Sequence, residues 1–267
     1  MTETFDSHWL ALRRRVDHQS RSEDLVKILS EWWTSHAASR VIDLGSGTGS
    51  NLQYLAPRLS GQQDWTLIDH DPQLLREVRA PPGLIKLNSL VGDLATVDLS
   101  SIHNADVVTA SALLDLVSAE WLKALANTCA DARCAVLFSL TYDGTIEWTT
   151  HDMDPADSVV MAAINKHQHR DKGLGSALGP TASHFAEALL CDLGFQTWTA
   201  YSPWRLGPED SELVSELVSG WQAAATEQMP DQKAEIWAWA DRRRAMVASG
   251  NFELRVGHID LLGLPSH

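Results

Sequence analysis

The stretch Val41-Ile42-Asp43-Leu44-Gly45-Ser46-Gly47-Thr48-Gly49-Ser50-Asn51 decides the fold, together with Leu67-Ile68-Asp69 a little further on. A short apolar run ends in an acid, turns through three glycines at alternate positions and leads into a helix. A second apolar run ends in another acid. Glycines let backbone N–H groups approach a ligand closely, and a helix N-terminus adds oriented donors. A carboxylate roughly 20 residues on, at the tip of the next strand, is placed to accept both hydroxyls of a ribose. The pattern therefore predicts a nucleoside-containing ligand at the carboxyl ends of two neighbouring strands. The nicotinamide fingerprint Gly-x-Gly-x-x-Gly would need glycines at 45, 47 and 50. Position 50 is Ser50, and the third glycine falls one residue early.

The acid and glycines of Asp43-Leu44-Gly45-Ser46-Gly47-Thr48-Gly49 match acid-x-Gly-x-Gly-x-Gly, the first motif of class I S-adenosylmethionine-dependent methyltransferases. From Arg40 to Thr141 the chain resembles that family. The resemblance implies an α/β fold with a doubly wound seven-stranded sheet, mostly parallel, the last strand antiparallel. It also implies S-adenosyl-L-methionine as cofactor and methyl transfer as the reaction. Carried over residue by residue, Gly45, Ser46, Gly47 and Gly49 pass under the methionine and ribose portions. Asp43 meets the ligand's α-ammonium group, directly or through water, or else caps N–H groups of its own loop. Asp69 takes the ribose diol, and His70 beside it contacts the adenosine or stands in solvent. Asp93 accepts the adenine amino group while Leu94 offers a backbone N–H. Ser111 and the residues after it lie where the sulfonium meets the acceptor. Many small-molecule methyltransferases carry a histidine where Asp115 falls, so Asp115 is a candidate acceptor-orienting group or base. The Asn-Pro-Pro-Tyr signature of enzymes that methylate nucleobase amines is absent.

Outward from the motif, periodicity places helices over 5–18 and 23–34, the latter carrying Leu25, Ile28, Leu29 and Trp32 at helical spacing. Strands are expected at 40–44, 65–68, 84–90, 106–110 and 135–141, separated by helices, which indicates parallel βαβ units. Asp71-Pro72 and Ser118 read as helix starts. After Thr141 the rhythm breaks. Residues 155–166 read as helical and 167–180 as a glycine-rich polar loop; a helix over 181–193, a strand over 195–201, helices near 209–228 and 232–249 and a closing strand over 252–261 follow. The expected organisation is a single domain: an N-terminal helical cap (1–38), a cofactor-binding core (40–141), an insertion or lid (142–180) and the C-terminal part of the sheet (181–267).

The insertion carries the remaining candidates. Tyr142 and Asp143 follow the fifth strand and are expected to face the acceptor, Tyr142 as a candidate base. His167, Arg170 and Lys172 bring local positive charge; His167, Arg170 or Lys172 is expected to meet an acidic group on the acceptor, or else they form a solvated helix end that complements the dipole, and His167 is a further candidate base. A glycine-bounded loop over a cleft can exclude water during group transfer. Trp204, Arg205 and His258 either line the acceptor pocket or simply pack. His151, His167, His169 and His184 have no partners at zinc-site spacing, so no metal is expected. No Gly-x-Ser-x-Gly elbow follows a strand.

Among the 267 residues, 21 Lys plus Arg face 35 Asp plus Glu, a net charge of −14. That repels phosphate backbones and argues against nucleic acid as the main partner. No apolar stretch approaches a membrane span, the N-terminus lacks the order of a secretion signal, and Cys129, Cys134 and Cys191 form no metal-type pair. The expectation is a cytoplasmic enzyme with free thiols and no membrane partner. Eleven tryptophans are many for this length, and some are expected to line an aromatic pocket. The function expected is methyl transfer to an oxygen or nitrogen of a small molecule. The alternatives are a methyltransferase acting on protein or tRNA, or a non-methylating protein that binds the same cofactor.

Overall fold

Short apolar runs closed by turn residues form the centre of the molecule. The computed structural model describes residues 6–82, 86–148 and 153–266; Leu84, Ile85 and His151 fall outside them. The chain order is α1 (Ser7–Ser20), α2 (Glu23–Ser35), β1 (Arg40–Leu44), α3 (Ser50–Leu55), β2 (Asp64–Asp69), α4 (Pro72–Glu77), β3 (Lys86–Val91), β4 (Val107–Ser111), α5 (Ala119–Ala132) and β5 (Ala135–Trp148). Then come α6 (Asp157–Gln168), α7 (Ala182–Asp192), β6 (Phe195–Tyr201), β7 (Trp204–Leu206), α8 (Ser211–Gln228), α9 (Lys233–Ala248) and β8 (Leu254–Pro265). Asp71 caps α4 by accepting from Gln73 N at 2.7 Å, and Ser118 caps α5 by accepting from Trp121 N at 3.2 Å.

The sheet runs β3-β2-β1-β4-β5-β8-β6, with β7 added alongside β8. The first five strands are parallel and β8 is antiparallel to its neighbours. This is the doubly wound mixed sheet expected, with β7 as a short eighth strand. Strand order reverses between β1 and β4, so their carboxyl ends open a crevice. Alternation sends Ile42 and Leu44 to one face, under Leu122 and Leu125 of α5, and Val41 to the other, under Leu25, Leu29 and Trp33 of α2. Burial on both faces is why β1 and β4 read as continuous apolar runs.

The structure departs from expectation at β5, which continues seven residues beyond Thr141. Asp143-Gly144 reads as a turn, but irregularities at Leu140 (φ +56°) and Gly144 (φ +91°) absorb the strain and the strand goes on. β8 likewise runs on to Pro265 instead of ending at Leu261. The extended parts of β5 and β8, with β7, support a third apolar cluster containing Trp148, Trp204, Trp221 and Trp239, packed by α1, α6, α8 and α9. Among the described residues no helix is long and apolar enough to cross a membrane.

Candidate functional site

The glycine loop sits at the crevice between β1 and β4. Gly47 N donates to Asp69 Oδ2 at 2.7 Å, and Asp71 N donates to Oδ1 at 2.9 Å. Each oxygen of the buried Asp69 carboxylate therefore keeps accepting capacity for a further donor. Gly47 has φ +52°, and a Cβ there would come within 3.2 Å of Leu10 of α1. Gly49 (φ +78°) begins α3, and a Cβ there would meet Val78 at 3.0 Å.

Asp43 is fully buried. Its Oδ1 accepts from Asn51 Nδ2 at 2.7 Å, and the same amide donates to Thr109 Oγ1 at 3.1 Å. Arg21, at the α1–α2 junction, donates to Asn51 Oδ1 and, at 2.9 Å, to Ser139 Oγ. Asp43 is thus held by a side-chain amide backed by a buried guanidinium, in place of the loop N–H groups considered above. Its Oδ2 is buried with no partner. Burial pushes the carboxyl up to about 7; the Asn51 hydrogen bond and the Arg21 charge pull it down, and Asp69 pushes it further up. A buried acceptor without a donor is costly, so this atom marks the place of an absent donor.

These groups border a cleft of about 1100 Å³, its mouth included. Asp43, Gly45, Ser46, Gly47, Asp69, His70, Asp93, Leu94 and Ser111 all line it; Gly49 does not, and serves the turn instead. Asp93 accepts from Ala95 N at 2.9 Å, and Trp121 Nε1 pins Leu94 O at 2.7 Å, so this turn is firmly seated. His70 Nε2 is another buried nitrogen without a partner. From above, Leu10, Arg13 and Asp17 of α1 roof the cleft. Arg14 donates to Thr48 Oγ1 at 3.2 Å and fastens that roof to the loop.

A second chamber of about 710 Å³ adjoins the cleft, the two sharing Arg13, Ala112, Leu116 and Lys172. Trp9, Trp204, Trp221, Tyr142, Asp115 and His258 are in its wall. Asp115 is buried, which raises its carboxyl, and the nearby Lys172 charge pulls it back. Ala112, between the two spaces, is a non-glycine residue at φ +53°, held by its N–H to Ser139 O at 2.8 Å; strain of this kind clusters at functional sites. Lys172 arrives on a strap tied to the α5 start by Ser118 N to Leu174 O (3.2 Å) and Leu178 N to Val117 O (2.8 Å).

Asp115, Lys172 and Trp204 thus come together, and four other expectations are corrected. Tyr142 contributes its ring to the chamber, but its hydroxyl donates to Asn165 Oδ1 at 2.8 Å and burial raises its pKa, so it is no base near neutral pH. Asp143, one residue on in the same strand, points away and accepts from Thr145 N at 2.8 Å; it borders neither space. His167 and Arg170 both pair with Glu227 at the end of α8, because α6 continues to Gln168 and carries them away from the cleft. Sequence reasoning missed Arg21, Asn51, and the α1 residues Trp9, Leu10, Arg13 and Asp17. Only Asn51, a polar residue directly after the glycine motif, carried a usable signal.

Residues 41–132, from β1 to the end of α5, match the family model of a methyltransferase domain. A search of curated proteins returns no match. Among solved structures, the chain is similar to the YcgJ protein from Bacillus subtilis (10% identity, 92% of this chain and 100% of that chain, TM-score 0.47). It is also similar to a SAM-dependent methyltransferase from Geobacter sulfurreducens in complex with S-adenosyl-L-homocysteine (15% identity, 100% of both chains, TM-score 0.46). The cyclopropane synthase MmaA2 from Mycobacterium tuberculosis gives 8% identity over 98% of this chain and 100% of that chain, with TM-score 0.45. The matched segment carries the acid–glycine loop, the Asp69 strand tip and the orphaned Asp43 oxygen, so the part of the chain that resembles a methyltransferase domain is the part that builds the cleft.

Proposed function

We propose that the chain is an S-adenosylmethionine-dependent methyltransferase acting on an oxygen or nitrogen of a small molecule held in the chamber beside the cleft. The observation that carries the reading is the chamber itself: a half-open space of about 710 Å³, its mouth included, that adjoins the cleft at Ala112 and Leu116. Its size is that of a small-ligand site, and its wall mixes aromatic rings with a few polar groups.

In this reading Asp43 Oδ2 receives the cofactor's α-ammonium group, which satisfies a buried carboxylate oxygen that the protein leaves without a donor. Asp69 accepts the ribose hydroxyls on the faces of its carboxylate that Gly47 N and Asp71 N leave open. Asp93 and the Leu94 backbone meet the adenine, and Ser111 borders the methionine end. The cofactor supplies a methyl group made electrophilic by a positive sulfonium, so no covalent enzyme intermediate is required. What the chain's own residues contribute is alignment of nucleophile, methyl carbon and leaving sulfur, with water kept out. The α1 roof and the strap carrying Lys172 and Leu174 do the excluding. Asp115 orients the acceptor, and its raised carboxyl suits it to take a proton from an acceptor that arrives protonated.

Calorimetric titration with S-adenosylmethionine and with NAD, followed by assay of S-adenosylhomocysteine release over a panel of small acceptors, tests this. Cofactor binding with turnover on a small molecule, reduced in Asp115→Asn while cofactor affinity holds, is the expected result. Turnover on a protein or tRNA alone contradicts it.

A further inference from the structure

The polar groups of the chamber differ in one respect that bears on its guest. Arg13 is held by both oxygens of Asp17, at 2.8 and 3.2 Å, and lies over the Trp204 ring. Lys172 donates to Gln168 Oε1, and its charge acts on the buried Asp115 carboxyl. Both cations of the wall are therefore already engaged, Arg13 by Asp17 from the adjoining cleft and Lys172 beside Asp115, so neither stands ready for a charged guest.

His258 is the exception. It lies on β8 opposite Tyr142, with its ring 4.9 Å from that of Trp204 and 6.3 Å from that of Tyr142. The residue is 5% exposed, and its Nδ1 is buried without a partner; no other residue of the chamber's described wall carries such an atom. Burial, with Arg13 adding to it, lowers its pKa to about 3, so the ring is neutral. A neutral imidazole has one N–H and one lone pair, and Nδ1 is the ring atom left without a partner. A buried ring nitrogen held beside aromatic rings has the geometry of a receptor for one polar group able to hydrogen-bond with it.

We propose that the acceptor is an uncharged, flat aromatic molecule that lies among the rings of Trp9, Trp204, Trp221 and Tyr142 and hydrogen-bonds Nδ1 of His258 through a hydroxyl or amine group. His258 is then a specificity-determining residue for the methyl transfer. The inference rests on the chamber being the acceptor site. Ring walls favour flat guests through edge and offset contacts. A site built to hydrogen-bond a polar group selects against the analogue that lacks it, because its own buried polar atom is left unpaired.

The test uses the full chain saturated with S-adenosylhomocysteine, titrated with phenol, aniline, toluene, benzoate and benzylammonium, with binding read by calorimetry. Phenol and aniline are expected to bind about 5- to 10-fold more tightly than toluene, and more tightly than either charged probe. His258→Phe keeps a ring in place without the ring nitrogens, and is expected to bring phenol and toluene to within about twofold while S-adenosylhomocysteine affinity is unchanged. Toluene equal to phenol in the unaltered protein overturns the proposal, and so does a charged probe binding best. A phenol preference that survives in His258→Phe, or no probe binding at all to a protein that holds S-adenosylhomocysteine, does the same. The ranking in the unaltered protein decides the matter even where His258→Phe does not fold. Failure to bind S-adenosylhomocysteine strikes the cofactor site instead, and is read separately before any probe is added.

Discussion

The cofactor cleft and the chamber beside it share a wall but are built in opposite ways. The cleft comes from consecutive strand tips: a glycine loop, then Asp69, then Asp93, each at the end of a parallel strand. The chamber is collected from α1, the far halves of β5 and β8, β7, α8 and the strap, so its walls span Trp9 to His258. The first is a property of backbone conformation and local order, the second of long-range packing. Damage to the cleft should therefore abolish cofactor binding outright, whereas damage to the chamber should change which acceptor is used and leave cofactor binding alone.

The largest effects are expected in the cleft. Asp69→Ala removes the carboxylate proposed to take the ribose diol, and with it the anchor of Gly47 N, so S-adenosylmethionine affinity should fall by about 100-fold or more in calorimetry. Gly47→Val forces a branched side chain onto a left-handed backbone against Leu10, with a comparable loss. Retained micromolar affinity in both variants would break the contrast between the two regions.

Next comes the pH dependence of Asp43. Its carboxyl titrates at about 7 in the free protein, so affinity for S-adenosylmethionine should rise with pH up to about 8 as the ammonium gains a charged partner. Methylthioadenosine, which lacks the amino-acid portion, should show no such rise, and Asp43→Asn should flatten it. The same shift works against the free fold. The native state holds a proton that the unfolded chain releases from pH 3.8 upward, so this group's contribution to stability is full below that value and is lost as pH rises through about 7. Asp43→Asn should accordingly raise the melting temperature of the free protein at pH 8, while cofactor affinity drops. Arg21→Met, which removes the charge that helps keep Asp43 ionised, should move the midpoint of the affinity curve above 7.

The smallest effects belong to residues that the structure takes out of the chemistry. Tyr142→Phe should cost about 1 kcal/mol of stability in chemical denaturation, for its bond to Asn165, and leave the pH profile of turnover in place. His167→Ala should change cofactor affinity and turnover less than twofold, since its partner is Glu227 at the surface. A large loss of turnover in either variant would mean that the chamber has been placed wrongly.

What could be read in advance follows the same division. The glycine loop, Asp69, Asp93 and the order of strands were legible because each depends on a few neighbouring residues with a fixed conformational meaning. The chamber was legible only in fragments. Asp143-Gly144 looks like the end of a strand, and only the pairing of β5 with β8 shows that the strand continues through it and turns Tyr142 inward. The basic residues at His167 and Arg170 look like a lid, but the length of α6 carries them to α8, and of the three only Lys172 reaches the opening, which it shares with Arg13. Arg21, far from the motif in sequence, reaches Asp43 through Asn51 because α1 and α2 fold back over β1. No local pattern encodes that contact.

The most direct measurement is a crystal structure of the chain with saturating S-adenosylhomocysteine. The account predicts the ligand's α-ammonium within hydrogen-bonding distance of Asp43 Oδ2 and both ribose hydroxyls on the Asp69 carboxylate, under the α1 roof. A cleft left empty at saturation, or a ligand whose ribose lies away from Asp69, would contradict it.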